Sequence, residues 1–130
     1  MSPYLKVLLL GCGAVLAFDA LASLASVAFG FPYVYAGVGS FLIYLLVGAA
    51  AVRYVSVRRS ALTGALVGLV DATLGWAISW QIGAAGVRVV PLAPARMVWT
   101  AILVSMLAAA VSGVGAALSS RRGGQSNAAA

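Results

Sequence analysis

Asp19 and Asp71 are the only acidic residues of this 130-residue chain, and each lies near the middle of a long apolar stretch. A carboxylate at the centre of a bilayer costs roughly 2.5 to 3.5 kcal/mol on insertion scales, so such residues are rare and usually serve function or assembly. Carboxyl groups in a membrane bind protons or cations, and two at one depth can share a proton, because like charges in a low-dielectric site do not easily both ionise. These two acids are therefore the first candidates for chemistry.

The neighbours expected at their depth are neutral. Tyr44 lies near the midpoint of its apolar stretch and is the best placed hydrogen-bond partner, and Ser105 lies at a similar depth. Arg53 lies near the end of a stretch, where its side chain would reach the membrane interface. The acids are therefore either protonated and hydrogen-bonded, or in contact with water or a cation, and the predicted ion or proton site is Asp19, Asp71, Tyr44 and Ser105.

Residue types argue against an enzyme. With no histidine, the single cysteine Cys12 and two acids, one chain cannot assemble a metal site or a nucleophile–base pair. Intramembrane aspartyl proteases carry a GxGD signature, whereas Gly68-Leu69-Val70 precedes Asp71 here. We predict no catalytic residue, no cofactor and no metal site.

Composition indicates a membrane protein. The chain is 64% hydrophobic and 8% charged, whereas soluble domains carry about 25% charged residues. The net charge of +6 does not indicate nucleic-acid binding, because cytoplasmic loops of membrane proteins collect Lys and Arg. The expected surroundings are a lipid bilayer, and no nucleic acid is expected as a partner.

Four apolar runs predict the fold. Each is long enough to cross a hydrocarbon core of roughly 30 Å as a helix, and Gly, Pro and Arg separate them. We predict an all-α integral membrane protein in which residues 1–120 form a single four-helix domain and residues 121–130 form a disordered cytoplasmic tail. The predicted spans are about residues 5–29, 33–55, 60–84 and 97–119.

Charge predicts the orientation. The run boundaries place six basic residues on one side of the membrane and only Arg88 and Arg96 on the other, so both termini should be cytoplasmic in a multi-pass protein of the cytoplasmic membrane. Arg58, Arg59, Arg121 and Arg122 are the expected membrane anchors. An aromatic belt at the opposite interface is predicted to contain Phe29, Phe31, Tyr33, Tyr35, Trp80 and Trp99.

The N-terminus also fits a second interpretation. Lys6, the apolar run after it and Ala20-Leu21-Ala22 match a cleavable signal peptide, and cleavage there would remove Asp19. The apolar run continues through Phe31 instead of giving way to a polar start, which favours a retained helix. Both interpretations stay open on sequence alone.

Small residues lie on both sides of the second acid along one face of the third span. Gly64, Gly68, Asp71, Gly75 and Ser79 recur at helical spacing, and small residues let helices approach closely in lipid. The coincidence of this face with the acid places it inside the bundle or at a subunit interface. The other spans have similar seams: Cys12, Asp19, Ser23 and Ser26; Gly37, Ser40, Tyr44 and Gly48; and Ser105, Ala108, Ser112 and Ala116.

The two halves of the chain resemble each other weakly. Aligning Asp19 with Asp71, a shift of 52 residues, places Cys12 over Gly64 and Ser23 over Gly75. Two repeated helical hairpins of one orientation would follow, as in parallel transporter repeats. This alignment predicts that both acids lie at the same depth.

These patterns support two functional hypotheses. In the first, an oligomer of the chain passes protons, cations or a small solute, with the aspartates as ion or proton sites. In the alternative, a non-catalytic accessory subunit docks into a larger membrane complex through the Gly-rich face of the third span. A pore-forming lysis protein is a third possibility, for which only small size and the basic tail speak.

Overall fold

Four long helices form the structure, a computed structural model that describes residues 1–84, 86 and 94–127, with side chains up to Arg121. They are α1 (Pro3–Phe29), α2 (Tyr33–Ala51), α3 (Val57–Ile82) and α4 (Pro94–Asn127). Each is long and apolar enough to span a membrane, and no strand occurs among the described residues. The predicted all-helical fold with four apolar helices is confirmed at this level.

Capping residues explain where the helices begin and end. The Ser2 hydroxyl accepts a hydrogen bond from the Leu5 amide at 3.2 Å, which caps α1. Gly30 ends that helix with a φ of 73°, a left-handed conformation that glycine adopts without steric cost. Ser56 caps α3, and Gly83 ends it with a φ of 83°.

The helix bounds differ from the predicted spans in two places. Helix α2 ends at Ala51, and residues up to Ser56 form the turn to α3, so the second span is shorter than predicted. Helix α4 runs to Asn127, whereas disorder is expected from residue 121 onward. Residues 128–130 lie outside the described part, as do Arg88 and Pro91 of the predicted third connection.

Helices α2 and α3 contact each other, and α1 packs against both of them. Helix α4 also packs against α2 and α3, and within the described residues it makes no contact with α1. The Thr63 hydroxyl donates to the Tyr4 hydroxyl at 3.0 Å near the starts of α3 and α1, and the Ser23 hydroxyl donates to the Ser79 hydroxyl at 2.8 Å near their ends. These two helices therefore run in the same direction. We call the end of the bundle that carries Lys6, Arg53, Arg58, Arg59 and Arg121 the basic end.

Small residues allow the closest approaches to α4. A methyl group built on Gly48 would collide with the Ser112 backbone, and one on Gly64 would collide with the Ser112 side chain. The Ser112 hydroxyl donates to the Tyr44 carbonyl at 2.6 Å, which adds an interhelical hydrogen bond. Around these contacts the core contains Val15, Tyr44, Val47, Val67 and Ala108, while most leucines point outward, as suits a helix surface in lipid.

Candidate functional site: an acid pair beside an apolar cavity

The carboxyl groups of Asp19 and Asp71 meet at Gly75. A methyl group built on Gly75 would collide with Oδ2 of Asp19 and would lie 3.1 Å from Oδ1 of Asp71. The two carboxyl groups thus lie beside the same position of α3, which has no side chain. Because α1 and α3 run in the same direction, this contact places the acids at a similar height along the two helix axes.

A tyrosine hydroxyl donates to each acid. The Tyr33 hydroxyl donates to Oδ1 of Asp19 at 2.7 Å, and the Tyr44 hydroxyl donates to Oδ2 of Asp71. Tyr44 is the partner that the sequence suggests. Tyr33 is not, because an aromatic ring just after a helix-ending turn is typical of the membrane interface.

One oxygen of the pair has no donor. Asp19 is 1% exposed, and its Oδ2 atom has no hydrogen-bond donor among the described residues. A buried polar atom without a partner costs about 1 to 3 kcal/mol. A proton on one carboxyl group would remove this cost, because a protonated acid donates one hydrogen bond and an ionised acid accepts it. The geometry therefore fits a pair that holds one proton between its two members.

The third helix is not regular where it carries Asp71. Residues Asp71–Gly75 form a π-helical turn between two α-helical segments. Such a turn contains one residue more than an α-helical turn, so it rotates the residues that follow it around the helix axis. Single π turns of this kind occur frequently at functional sites.

This turn divides the small-residue face between two partners. Gly68, before the turn, packs against Ala108 of α4, as Gly64 does against Ser112. Gly75 and Ser79, after the turn, face α1: Ser79 accepts a hydrogen bond from the Ser23 hydroxyl at 2.8 Å. The face predicted to be internal or to meet another subunit is therefore covered by helices of the same chain.

Ser105 takes a different place from the one expected. Its Oγ atom is buried, and no hydrogen bond joins it to either acid within the described residues. Its Cα atom lies 3.3 Å from a methyl group built on Gly68, so it packs on the segment of α3 before the π turn. The expectation that Ser105 belongs to the site rests on its depth alone. Depth does not determine the direction in which a residue points around its helix axis.

A cavity of about 220 Å³ lies between α2, α3 and α4. Among the described residues, Asp71 is the one charged residue that lines the cavity, and Tyr44 lines it next to the acid. Helices α2 and α4 touch at Gly48 and Ser112 toward the basic end, so the cavity occupies the space beyond that contact. Its ring-bearing and hydroxyl-bearing lining residues are Tyr33, Phe41, Tyr44, Trp76, Ser40 and Thr100.

The acid pair lies apart from the basic residues, which are found toward the helix ends. Asp19 and Asp71 accept hydrogen bonds from Tyr33 and Tyr44, and no hydrogen bond joins either acid to a described Lys or Arg. The described residues contain no group of three or more His, Cys, Asp or Glu that could hold a metal ion.

The expected anchors Arg58 and Arg59 are exposed in the first turn of α3, and Arg121 is exposed near the end of α4. The side chain of Arg122 lies outside the described part.

Neither a known protein family nor a curated protein or solved structure matches this chain. The functional conclusion accordingly depends on the acid pair, its two tyrosine donors and the cavity beside Asp71.

Proposed function

We propose that the protein passes protons, cations or a small solute across the cytoplasmic membrane, as an oligomer, with Asp19 and Asp71 as the ion or proton site. The observation that carries the proposal is the meeting at Gly75 of the buried Asp19 carboxyl group with the half-buried Asp71 carboxyl group, which lines a cavity. Ionisable residues inside a membrane bundle usually mark ion pathways or proton relays.

The geometry favours the proton among these substrates. Tyrosine hydroxyls both donate and accept hydrogen bonds, so Tyr33, Asp19, Asp71 and Tyr44 form a series of adjacent groups that can exchange a proton. The series begins at Tyr33, the first residue of α2, and ends at Tyr44, and both tyrosines line the cavity. A proton needs no coordination shell beyond these groups.

A dehydrated metal cation has weaker support. Ca²⁺ takes six to eight oxygen ligands and Mg²⁺ demands a near-octahedral shell. The described site offers two carboxyl groups and two hydroxyls, and both hydroxyl protons already point to the carboxyl groups. The unpartnered Oδ2 atom of Asp19 faces Asp71 and the glycine backbone, where there is room for a proton.

The alternative of docking through the Gly-rich face of α3 has less support from the packing. Gly64 and Gly68 contact α4, and Gly75 and Ser79 contact α1. A partner helix would have to displace one of these two helices to reach the same residues. We therefore retain passage of a proton or solute as the proposed function.

Proton flux into liposomes tests the proposal. Purified protein is reconstituted with a pH-sensitive dye inside the vesicles, and a potassium gradient with valinomycin drives proton entry. We expect flux through the wild type and its loss in both Asp19→Asn and Asp71→Asn, because asparagine keeps the shape of the side chain and cannot bind or release the proton.

Thr73→Ala is the matched control. Thr73 is exposed on α3 near Asp71, and its hydroxyl donates only to carbonyls of its own helix. This variant should keep the wild-type flux. Unchanged flux in both folded asparagine variants would contradict the proposal, as would a folded wild type that passes no proton, alkali cation or small solute.

A further inference from the structure

The cavity beside Asp71 has walls of an unusual composition for a proton path alone. Aromatic rings come from two helices: Tyr33, Phe41 and Tyr44 of α2, and Trp76 of α3. Phe41 and Tyr44 meet edge to face, with ring centroids 6.4 Å apart. Val104 and Leu107 of α4 complete an apolar wall. A proton relay does not need a space of about 220 Å³ with such walls.

The charge of the cavity selects among ligands. Asp71 is the only charged residue that lines it within the described part of the chain, and the described basic side chains lie toward the helix ends. An anion would therefore meet a carboxyl group with no positive partner. A small metal ion would find few oxygen ligands on walls made of rings and aliphatic groups.

An organic cation matches both the walls and the charge. Ammonium groups are attracted to the faces of Trp, Tyr and Phe, and this attraction grows when water is removed. Small-molecule sites in proteins are typically apolar cavities with a few convergent polar groups. Here these groups are the Asp71 carboxyl group and the hydroxyls of Ser40, Tyr44 and Thr100.

We propose that this cavity binds an organic cation, a protonated or quaternary amine with small alkyl or aromatic groups, through Asp71 and the rings of Phe41, Tyr44 and Trp76. The inference rests on the proposed function, since it names a solute for the same acid pair. Binding of the cation requires an ionised Asp71, so the proton held by the pair leaves as the cation enters. Charge at the site is then conserved, and cation and proton compete for one carboxyl group.

Equilibrium binding tests the inference without any transport measurement. The probe is benzyltrimethylammonium, titrated by calorimetry into the wild-type protein in nanodiscs of zwitterionic lipid, with empty nanodiscs as the blank. Neopentylbenzene has the same shape without the charge. We expect saturable binding of the cation and at least about tenfold weaker binding of the neutral compound, because only the cation gains from the carboxyl group and the ring faces.

Two substitutions locate the site. Asp71→Asn should weaken cation binding by about tenfold or more, because the half-buried charge partner is lost. Trp76→Leu should weaken it several-fold while leaving an apolar wall in place. Thr73→Ala should bind as the wild type does, since Thr73 does not line this cavity. Titrations in two buffers of different ionisation enthalpy should show proton release from the wild type and none from Asp71→Asn.

The outcomes separate this inference from the proposed function. No saturable binding to folded wild type, equal binding of neopentylbenzene, or unchanged binding in Asp71→Asn would each overturn the inference. Proton flux without cation binding would overturn the inference and leave the proposed function standing. Asp71-dependent cation binding in a protein that passes neither protons nor the cation would support the cavity as a binding site and overturn the proposed function.

Discussion

Gly75 is the residue that lets the two acids meet. A side chain at this position would occupy the space that Oδ2 of Asp19 fills, and Asp19 is itself 1% exposed. The carboxyl group of Asp19 cannot retreat easily, because the Tyr33 hydroxyl holds its other oxygen. The absence of a Cβ atom at Gly75 is therefore as much a part of the site as the carboxyl groups are.

Gly75→Ala should lower the free energy of unfolding by about 1 to 3 kcal/mol, the usual cost of overpacking. Its methyl group would collide with Asp19 and separate the acids. Gly13→Ala is the control, because a methyl group there meets nothing within 4 Å among the described residues and alanine favours the helix. Unfolding in mixed detergent micelles measures both variants. Equal stability of Gly75→Ala and wild type would show that the acids do not meet at Gly75.

Tyr33→Phe should destabilise the protein by about 1 to 3 kcal/mol, because the second oxygen of Asp19 then also loses its donor. It should also slow proton flux in the liposome assay. Tyr35→Phe is the matched control, since Tyr35 lies on the same turn and is 68% exposed. If both substitutions behave alike, the Tyr33 hydroxyl acts only as an interfacial group.

At the scale of single residues, the sequence predicts which residues are unusual. It predicts less well which residues they contact. The cost of a carboxylate in lipid singles out both aspartates, and depth suggests Tyr44, which does donate to Asp71. Depth also suggests Ser105, which packs on Gly68 instead. Tyr33 is missed because its ring fits the interface equally well. Partners depend on the direction each side chain takes around its helix axis, and an apolar chain contains little information on that direction.

Among the elements, the π turn at Asp71–Gly75 has the largest consequence for the site. Before it, α3 faces α4 with Gly64 and Gly68, and after it α3 faces α1 with Gly75 and Ser79. One helix thus serves two interfaces. The apolar runs and the Gly and Pro breaks suffice to predict four helices, because the length of each apolar run can be read directly from the sequence. They do not predict the π turn, which depends on how the flanking segments pack.

Insertion of one alanine after Leu74 tests the turn. Leu74 is 55% exposed and lies inside the turn, which already holds one extra residue, so a second extra residue rotates Gly75 and Ser79 away from α1 by about 100°. We expect loss of proton flux with little change in helix content by circular dichroism. Leu74→Ala keeps the number of residues and should keep the flux. Flux that survives the insertion would show that the acids do not depend on the geometry of the π turn.

For the whole molecule, the distribution of charge predicts the orientation of the bundle. The antiparallel packing of α2 on its neighbours brings Arg53 to the end where α3 begins with Arg58 and Arg59, and Arg121 lies at the same end of α4. Tyr35 lies at the opposite end, close to the start of α2. Cytoplasmic sides of membrane proteins carry the excess of Lys and Arg, so the basic end should face the cytoplasm. Tyr33, the first residue of the Tyr33 to Tyr44 series, would then lie toward the external side.

Single-cysteine labelling checks this orientation. In a Cys12→Ser background, Tyr35→Cys and Ser120→Cys place one thiol at each end of the bundle, and both positions are exposed. A membrane-impermeant maleimide added to intact spheroplasts should label Tyr35→Cys at once and Ser120→Cys only after permeabilisation. The reverse pattern would invert the direction of the proposed proton path. Partial labelling of both thiols in intact cells would indicate insertion in two orientations, which the excess of basic residues at one end argues against.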